Sequence, residues 1–324
     1  MRISMLLLNQ TSPLLASLDI PTERLKMEPL LSRRQKEKVL IIMGATGVGK
    51  SKLSIDLARR FPAEIINSDK MQMFEGLDIT TNKITEEEQC GIPHHLLGIL
   101  NPNDDFTAEN FCEVASLAID SISNRGQLPI IVGGSNSYIE ALIDDKDFIF
   151  RTRYDCCFLW VDVSMPVLHS FLSDRVDRMI ENGMVDEVRN IFDRTADYSK
   201  GIRKAIGVPE FDEYFKEETF LDEENRKKAL KKAIQKIKDN TCELACRQLK
   251  KIHRLRNVKR WNIHRIDATE VFRKCSKPAE EAEEKRVVGP STTIVAEFLY
   301  NFVSMEVPAP VADIRDHITQ CLVT

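Results

Sequence analysis

The chain is notable first for what it does not contain. No apolar run approaches the roughly 18 residues that a membrane-spanning helix needs, although hydrophobic residues make up 43% of its 324 positions. Its formal net charge is only −4, which excludes a surface that binds nucleic acid through charge of one sign alone. None of the eight cysteines forms a C-x-x-C pair, and Cys242 and Cys246 have no Cys/His partner pair at zinc-finger spacing. The cysteines therefore read as reduced, mostly buried thiols of an intracellular protein. Charged residues at 30% complete an ordinary soluble composition, long enough for one large domain or two modest ones.

What is present begins at VLIIMGATGVGKS, residues 39–51. Gly44 to Ser51 fits G-x-x-x-x-G-K-[ST], with an apolar strand pattern before it and a helical pattern after it. Gly44, Ala45, Thr46, Gly47, Val48 and Gly49 form a loop whose backbone N–H groups can turn inward around an anion. Lys50 adds a mobile charge, and Ser51 is a candidate Mg²⁺ ligand. The motif implies a bound di- or triphosphate without saying which molecule carries it. ATP hydrolysis is poorly supported, because no water-positioning residue or switch element is readable. Strand 128–132 ends in glycine rather than aspartate, and Asp162 in FLWVDVS reads equally well as a strand-end cap.

Asp69 follows a second apolar strand, Ala63–Asn67, at the sheet edge where ligands of open α/β folds sit. From position alone it is equally a magnesium ligand, a turn residue or a general base. Further strands are expected at Leu128–Val132, Cys157–Val163 and Ile263–Asp267, and a helix at Thr107–Ser123. Helices are expected at 166–182, 184–194, 208–216 and 222–256, an exposed acidic loop at 276–287, and a last helix from Ser291 or Thr292. The expected fold class is α/β: a P-loop NTPase-like parallel sheet flanked by helices, with an inserted mainly helical subdomain. Its divisions are 1–37 (disordered or an organelle transit segment), 38–164 (core), 165–240 (helical subdomain) and 241–324 (return to the core). Between Arg226 and Arg260 stand 14 Lys/Arg against two acids, either a solvated helix face or an anion-facing surface.

GATGVGKS, INSDKMQMFEGLDITTNK, GIPHHLLGILNP, PIIVGGSNSYIEAL, RVDRMI, GIRKAIGVPEF and CRQLKKIHRLR occur in that order over residues 38–260. Together they resemble the isopentenyltransferase family, which includes tRNA dimethylallyltransferases and adenylate isopentenyltransferases. The resemblance implies that the loop cradles the diphosphate of dimethylallyl diphosphate, and that the acceptor is N6 of an adenine. It implies Asp69 as the base, with Thr46, Lys50 and Arg175 around the diphosphate and Mg²⁺ on Ser51. Thr46 could meet the bridging oxygen or hold Asp69. Arg178, Lys251 and Lys83 match weaker phosphate-facing positions, and Ser135 or Ser137 could contact nucleotide. His94 and His95 read as loop-ordering residues rather than metal ligands.

Only Glu140–Tyr154 separates SNSYIEAL from the next strand, where the family's tRNA enzymes insert a domain. No C-terminal zinc finger is readable, and Gly207–Glu210 replaces the GYRQ of bacterial tRNA enzymes. These features favour AMP, ADP or ATP as partner over tRNA, as in plant cytokinin synthesis. A tRNA modifier and a P-loop small-molecule kinase are the alternatives. The N-terminus, with several Ser/Thr and no acid before Asp19, and the habit of similar plant enzymes suggest a plastid, with the cytoplasm as the alternative.

Overall fold

In a computed structural model the described residues are 36–144, 149–274 and 277–300. The expected transit segment lies outside them. Strand β1, Glu37–Gly44, shows why the sheet lies at the centre. Val39, Ile41 and Met43 point into one apolar cluster, and Leu40 and Ile42 into another, all fully buried. A strand with two buried faces needs helices on both sides, and the chain supplies them. The loop after β1 leads into helix α1, Lys50–Ala58, and then β2, Ala63–Asn67. A short α2, Glu86–Gln89, precedes the two-residue strand β3, His94–His95.

Helix α3, Ala108–Asn124, opens with a reciprocal cap. The Asn110 N–H donates to Thr107 Oγ1 at 3.3 Å, and the Thr107 N–H donates to Asn110 Oδ1 at 3.1 Å. Next come β4 (Leu128–Val132), α4 (Asn136–Ile143), α5 (Ile149–Arg153) and β5 (Tyr154–Asp162). Four helices follow: α6 (Met165–Glu181), α7 (Met184–Asn190), α8 (Val208–Glu217) and α9 (Glu223–Asn257). Strand β6, Ile263–Asp267, returns to the sheet, followed by α10, Thr269–Phe272. The sheet is parallel throughout, in the order β3-β2-β4-β1-β5-β6.

Three expectations need correction. The helical stretch 165–240 has no core of its own: Val176, Phe211 and Ile237 share a cluster with Val39 and Ile41. Nor does the chain divide near 240, because α9 runs unbroken for 35 residues. Its buried stripe is Ala233, Ile237, Thr241, Ala245, Gln248, Ile252 and Leu255. Such a continuous stripe, roughly 33 Å of a helix roughly 50 Å long, welds the segment to the sheet. Third, the described part of the acidic stretch at 276–287, from residue 277 on, is no loop. It contains α11, Lys277–Glu283, and a π-helical turn, Glu284–Val288, which continue into α12, Gly289–Tyr300. Ala282, Val287 and Val288 are buried, while Glu283 pairs with Lys52 of α1 and Glu284 with Arg60 just after it. Ser291 is therefore a buried residue inside a helix and not a cap, and the Thr292 hydroxyl donates to the Val288 carbonyl at 2.7 Å.

Candidate active site

The loop Gly44–Ser51 wraps the C-terminal end of β1. Gly47 has φ +82°, and a Cβ there would stand 2.6 Å from Leu172 Cδ2 of α6, so glycine is required on two counts. Ala45 and Val48 are buried and anchor the loop, so they offer a ligand only backbone. Ser51 is exposed in the cavity wall. Lys50 Nζ donates to the Ala45 carbonyl at 2.7 Å. Burial lowers its pKa from 10.5 to about 8; the Asp69 carboxylate opposes that shift and the Arg175 cation adds to it.

Arg175 reaches the loop from α6. Its Nη2 donates to Thr46 Oγ1 at 3.1 Å. Burial pulls its pKa down to about 10, again opposed by Asp69. Its Nε is buried with no hydrogen-bond partner among the described residues, an unusual state for a guanidinium. Arg178, one turn on, lies over the Phe171 ring at 5.4 Å and also lines the cavity.

Asp69 is fixed by the end of β2. Asn67 Oδ1 accepts the Asp69 N–H at 3.1 Å, and Asn67 Nδ2 donates to the Asp69 and Leu96 carbonyls at 3.1 and 3.0 Å. Asp69 Oδ1 accepts the Met71 N–H at 3.2 Å. Its other oxygen faces the end of β4, where a Cβ on Gly134 would approach within 3.1 Å. Cradle and carboxylate share one cavity of about 840 Å³, within the size range of small-molecule sites.

Lys251 of α9 lines that cavity with Arg247, as do Ser135 and Ser137. Ser135 Oγ also accepts the Lys70 N–H at 2.9 Å. Lys83 does not join them. Its ammonium is held by the Gly76 carbonyl and, at 2.8 Å, by Asp78, so it closes a local turn. Neighbouring Thr81 and Asn82 line the cavity in its place. His94 pairs through Nδ1 with the Ile92 carbonyl at 2.8 Å, and burial lowers its pKa. His95 Nε2 meets Glu64 at 2.7 Å. Both order the short β3, although His94 also touches the cavity. Asp162 is bound by Arg265 Nε at 2.7 Å.

Gln248 was not apparent from motif reading. It is 7% exposed, and its carboxamide bridges the loop to the end of β4. The available signal was a polar residue within the buried stripe of α9.

A family profile described as IPP transferase matches residues 72–153 and 145–255. Adenylate isopentenyltransferase 3, chloroplastic, of Arabidopsis thaliana is 56% identical over 333 residues, covering 100% of this chain and 99% of its own. Adenylate isopentenyltransferase 7, mitochondrial, of the same plant is 53% identical over 268 residues, 82% of each chain. Among solved structures, a eukaryotic dimethylallyltransferase acting on tRNA superposes with a TM-score of 0.69 at 24% identity, covering 82% of this chain and 80% of that one. That last likeness bears on the fold.

Proposed function

Because the chain belongs to the IPP transferase family, we propose that its cavity joins a dimethylallyl group to the adenine of a nucleotide. The protein is a prenyltransferase of the adenylate isopentenyltransferase kind, acting in cytokinin synthesis. It transfers the dimethylallyl group of dimethylallyl diphosphate to adenine N6 and releases diphosphate. The observation that carries this reading is the shared cavity, with a phosphate cradle at one end and a fixed carboxylate at the other.

N6 is a weak nucleophile because its lone pair is delocalised into the ring. Asp69 accepts its proton as the N6–carbon bond forms and the carbon–oxygen bond to diphosphate breaks. A base so placed contributes roughly 10²–10⁴-fold. Lys50, Arg175 and the N–H groups at the start of α1 take up the charge that builds on the leaving oxygens. Thr46, held by Arg175, lies at the same end.

Magnesium fits the donor set. Among the described residues no three His, Cys, Asp or Glu side chains gather to cage an ion. Mg²⁺ entering on a diphosphate keeps most of its waters and takes one or two protein oxygens, and the exposed Ser51 hydroxyl suits that part. When bound, the ion supplies further neutralising charge.

Free AMP, ADP or ATP is the acceptor we favour over tRNA, since only residues 144–153 link α4 to β5. An organelle, the plastid in particular, is the location we favour, and a fluorescent fusion of the whole chain tests it. Labelled dimethylallyl diphosphate tests the activity. Label should reach AMP, ADP or ATP, and label on tRNA alone refutes the acceptor. Asp69→Asn should cut transfer by about 10²–10⁴-fold with nucleotide binding kept; near-normal turnover would remove Asp69 as the base.

A further inference from the structure

Gln248 reaches two parts of the site that arrive from different strands. Its Oε1 accepts the Thr46 N–H of the cradle at 2.7 Å. Its Nε2 donates to the Gly134 carbonyl at 3.0 Å. The residue is held in turn, because Asn136 Nδ2 donates to the Gln248 backbone carbonyl at 3.2 Å. A Cβ on Gly134 would stand 2.4 Å from Gln248 Nε2 and 3.1 Å from Asp69 Oδ2, so the carboxamide and the carboxylate flank one glycine. A single buried side chain thus ties the loop that grips the leaving group to the strand end beside the base.

The chemistry of the position is specific. One acceptor must face an N–H, and one donor must face a C=O. Glutamate offers only acceptors when ionised, lysine only donors, and leucine neither. In a buried site, removing one partner leaves the other unsatisfied. The Thr46 N–H is engaged by Gln248, so its part is to hold the loop's shape rather than to grip phosphate.

We propose that Gln248 is a positioning residue whose carboxamide sets the spacing between the diphosphate cradle and Asp69, and hence the attack distance of N6 on the allylic carbon. The role rests on the prenyl transfer argued above.

Gln248→Leu removes both bonds at similar volume. Gln248→Glu keeps the acceptor and regains the donor only when protonated. Steady-state kinetics on AMP and dimethylallyl diphosphate, melting temperature and hydrogen–deuterium exchange of residues 44–51 would be compared with wild type. The leucine variant should stay folded and lose kcat by about 10²-fold, with KM for AMP moving less than about threefold. Its loop should exchange about fivefold faster. The ratio of the glutamate variant's kcat to wild type should climb about tenfold between about pH 8 and about pH 5.5, as a neutral carboxylic acid comes to mimic the amide.

Unchanged loop exchange, a kcat loss below about threefold, a loss confined to KM for AMP, or a flat glutamate ratio would each overturn the role. A wild type that modifies no adenine nucleotide refutes the proposed function instead. Loop exchange then still decides whether Gln248 holds the cradle.

Discussion

Raising the pH should loosen the cradle's hold on an allylic diphosphate, and Lys50 sets where this begins. Its ammonium is enclosed by the loop, and burial moves its pKa from 10.5 to about 8. The protonated form grips a diphosphate and the neutral amine does not. A bound anion favours the protonated form and raises the pKa again. Affinity should therefore be level below about pH 8 and fall about tenfold per unit above it, until the pH reaches the pKa of the complex. By about pH 9 the loss should be about tenfold, or about 1.4 kcal/mol. Calorimetric titration with dimethylallyl diphosphate at about pH 7, 8 and 9 measures this directly. Lys50→Met should bind more weakly and show no such slope. A wild-type affinity flat to about pH 9, or an equal slope in Lys50→Met, would refute the reasoning.

The same titration acts on stability in the opposite direction. The unfolded chain keeps the lysine proton up to 10.5, whereas the folded protein releases it near 8. Between those values the unfolded state binds more protons, so folding stability rises with pH. This group's share of the rise is at most about 3 kcal/mol, level below the folded pKa and complete above the unfolded one. Ligand-free protein should thus gain from Lys50 over the range in which ligand affinity falls.

Two further outcomes follow from the described contacts. Arg175→Lys keeps a charge but loses the planar fork that reaches Thr46 Oγ1. It should lower kcat by about 10- to 100-fold in the label-transfer assay, and retention of half the activity would contradict the assignment. Glu64 is buried and is bonded by Arg125 at 3.0 and 2.7 Å and by His95 at 2.7 Å. The Arg125 bonds hold its carboxyl below the usual range, aided by His95. That stabilisation is present above the unfolded carboxylate pKa and disappears as pH falls through the folded value. Glu64→Ala should cost about 1 kcal/mol at neutral pH by denaturant titration, and an equal difference persisting in acid would count against the pairing.

Local pattern made much of this fold legible. Runs such as VLIIM and LPIIV, short, rich in β-branched residues and closed by glycine, read as strands buried on both faces. Thr107 with Asn110 announces a helix start within four residues. Strand β3 was invisible because it is two histidines, made a strand only by the parallel pairing of Ile65 with His94 and Ile66 with His95. The described part of the polar 276–287 stretch, from residue 277 on, is helical and finds partners in Lys52 of α1 and Arg60 just after it, which no local window can see. The same limit hid Gln248. Within a basic helix it reads as one more polar residue, and its importance appears only when Thr46 and Gly134 meet it. Lys83 shows the converse, since its position suggested phosphate while its own turn claims its charge.

The strand order argues for the leaving-group reading of the cradle over the kinase reading. The cradle follows β1 and Asp69 follows β2, and β4 lies between those strands. Two strand spacings of roughly 4.8 Å hold the loop and the base about 10 Å apart along the sheet edge. The intervening strand ends in two glycines. A Cβ on Gly133 would strike the Ser68 Oγ at 2.4 Å, and one on Gly134 would crowd Gln248 and Asp69. Over that side-chain-free step an allylic carbon can lie in line between its leaving oxygen and an attacking nitrogen. A kinase instead needs an acid beside the cradle to hold the metal of its nucleotide. The strand next to β1 on its other side is β5, and it does end in an acid, Asp162. That carboxylate is 9% exposed and bonded to Arg265 Nε at 2.7 Å and Nη2 at 2.6 Å, so its charge is already matched within the sheet. Of these two carboxylates the one that lines the cavity is Asp69, two strands away, which is where the proposed proton transfer from a nitrogen needs it.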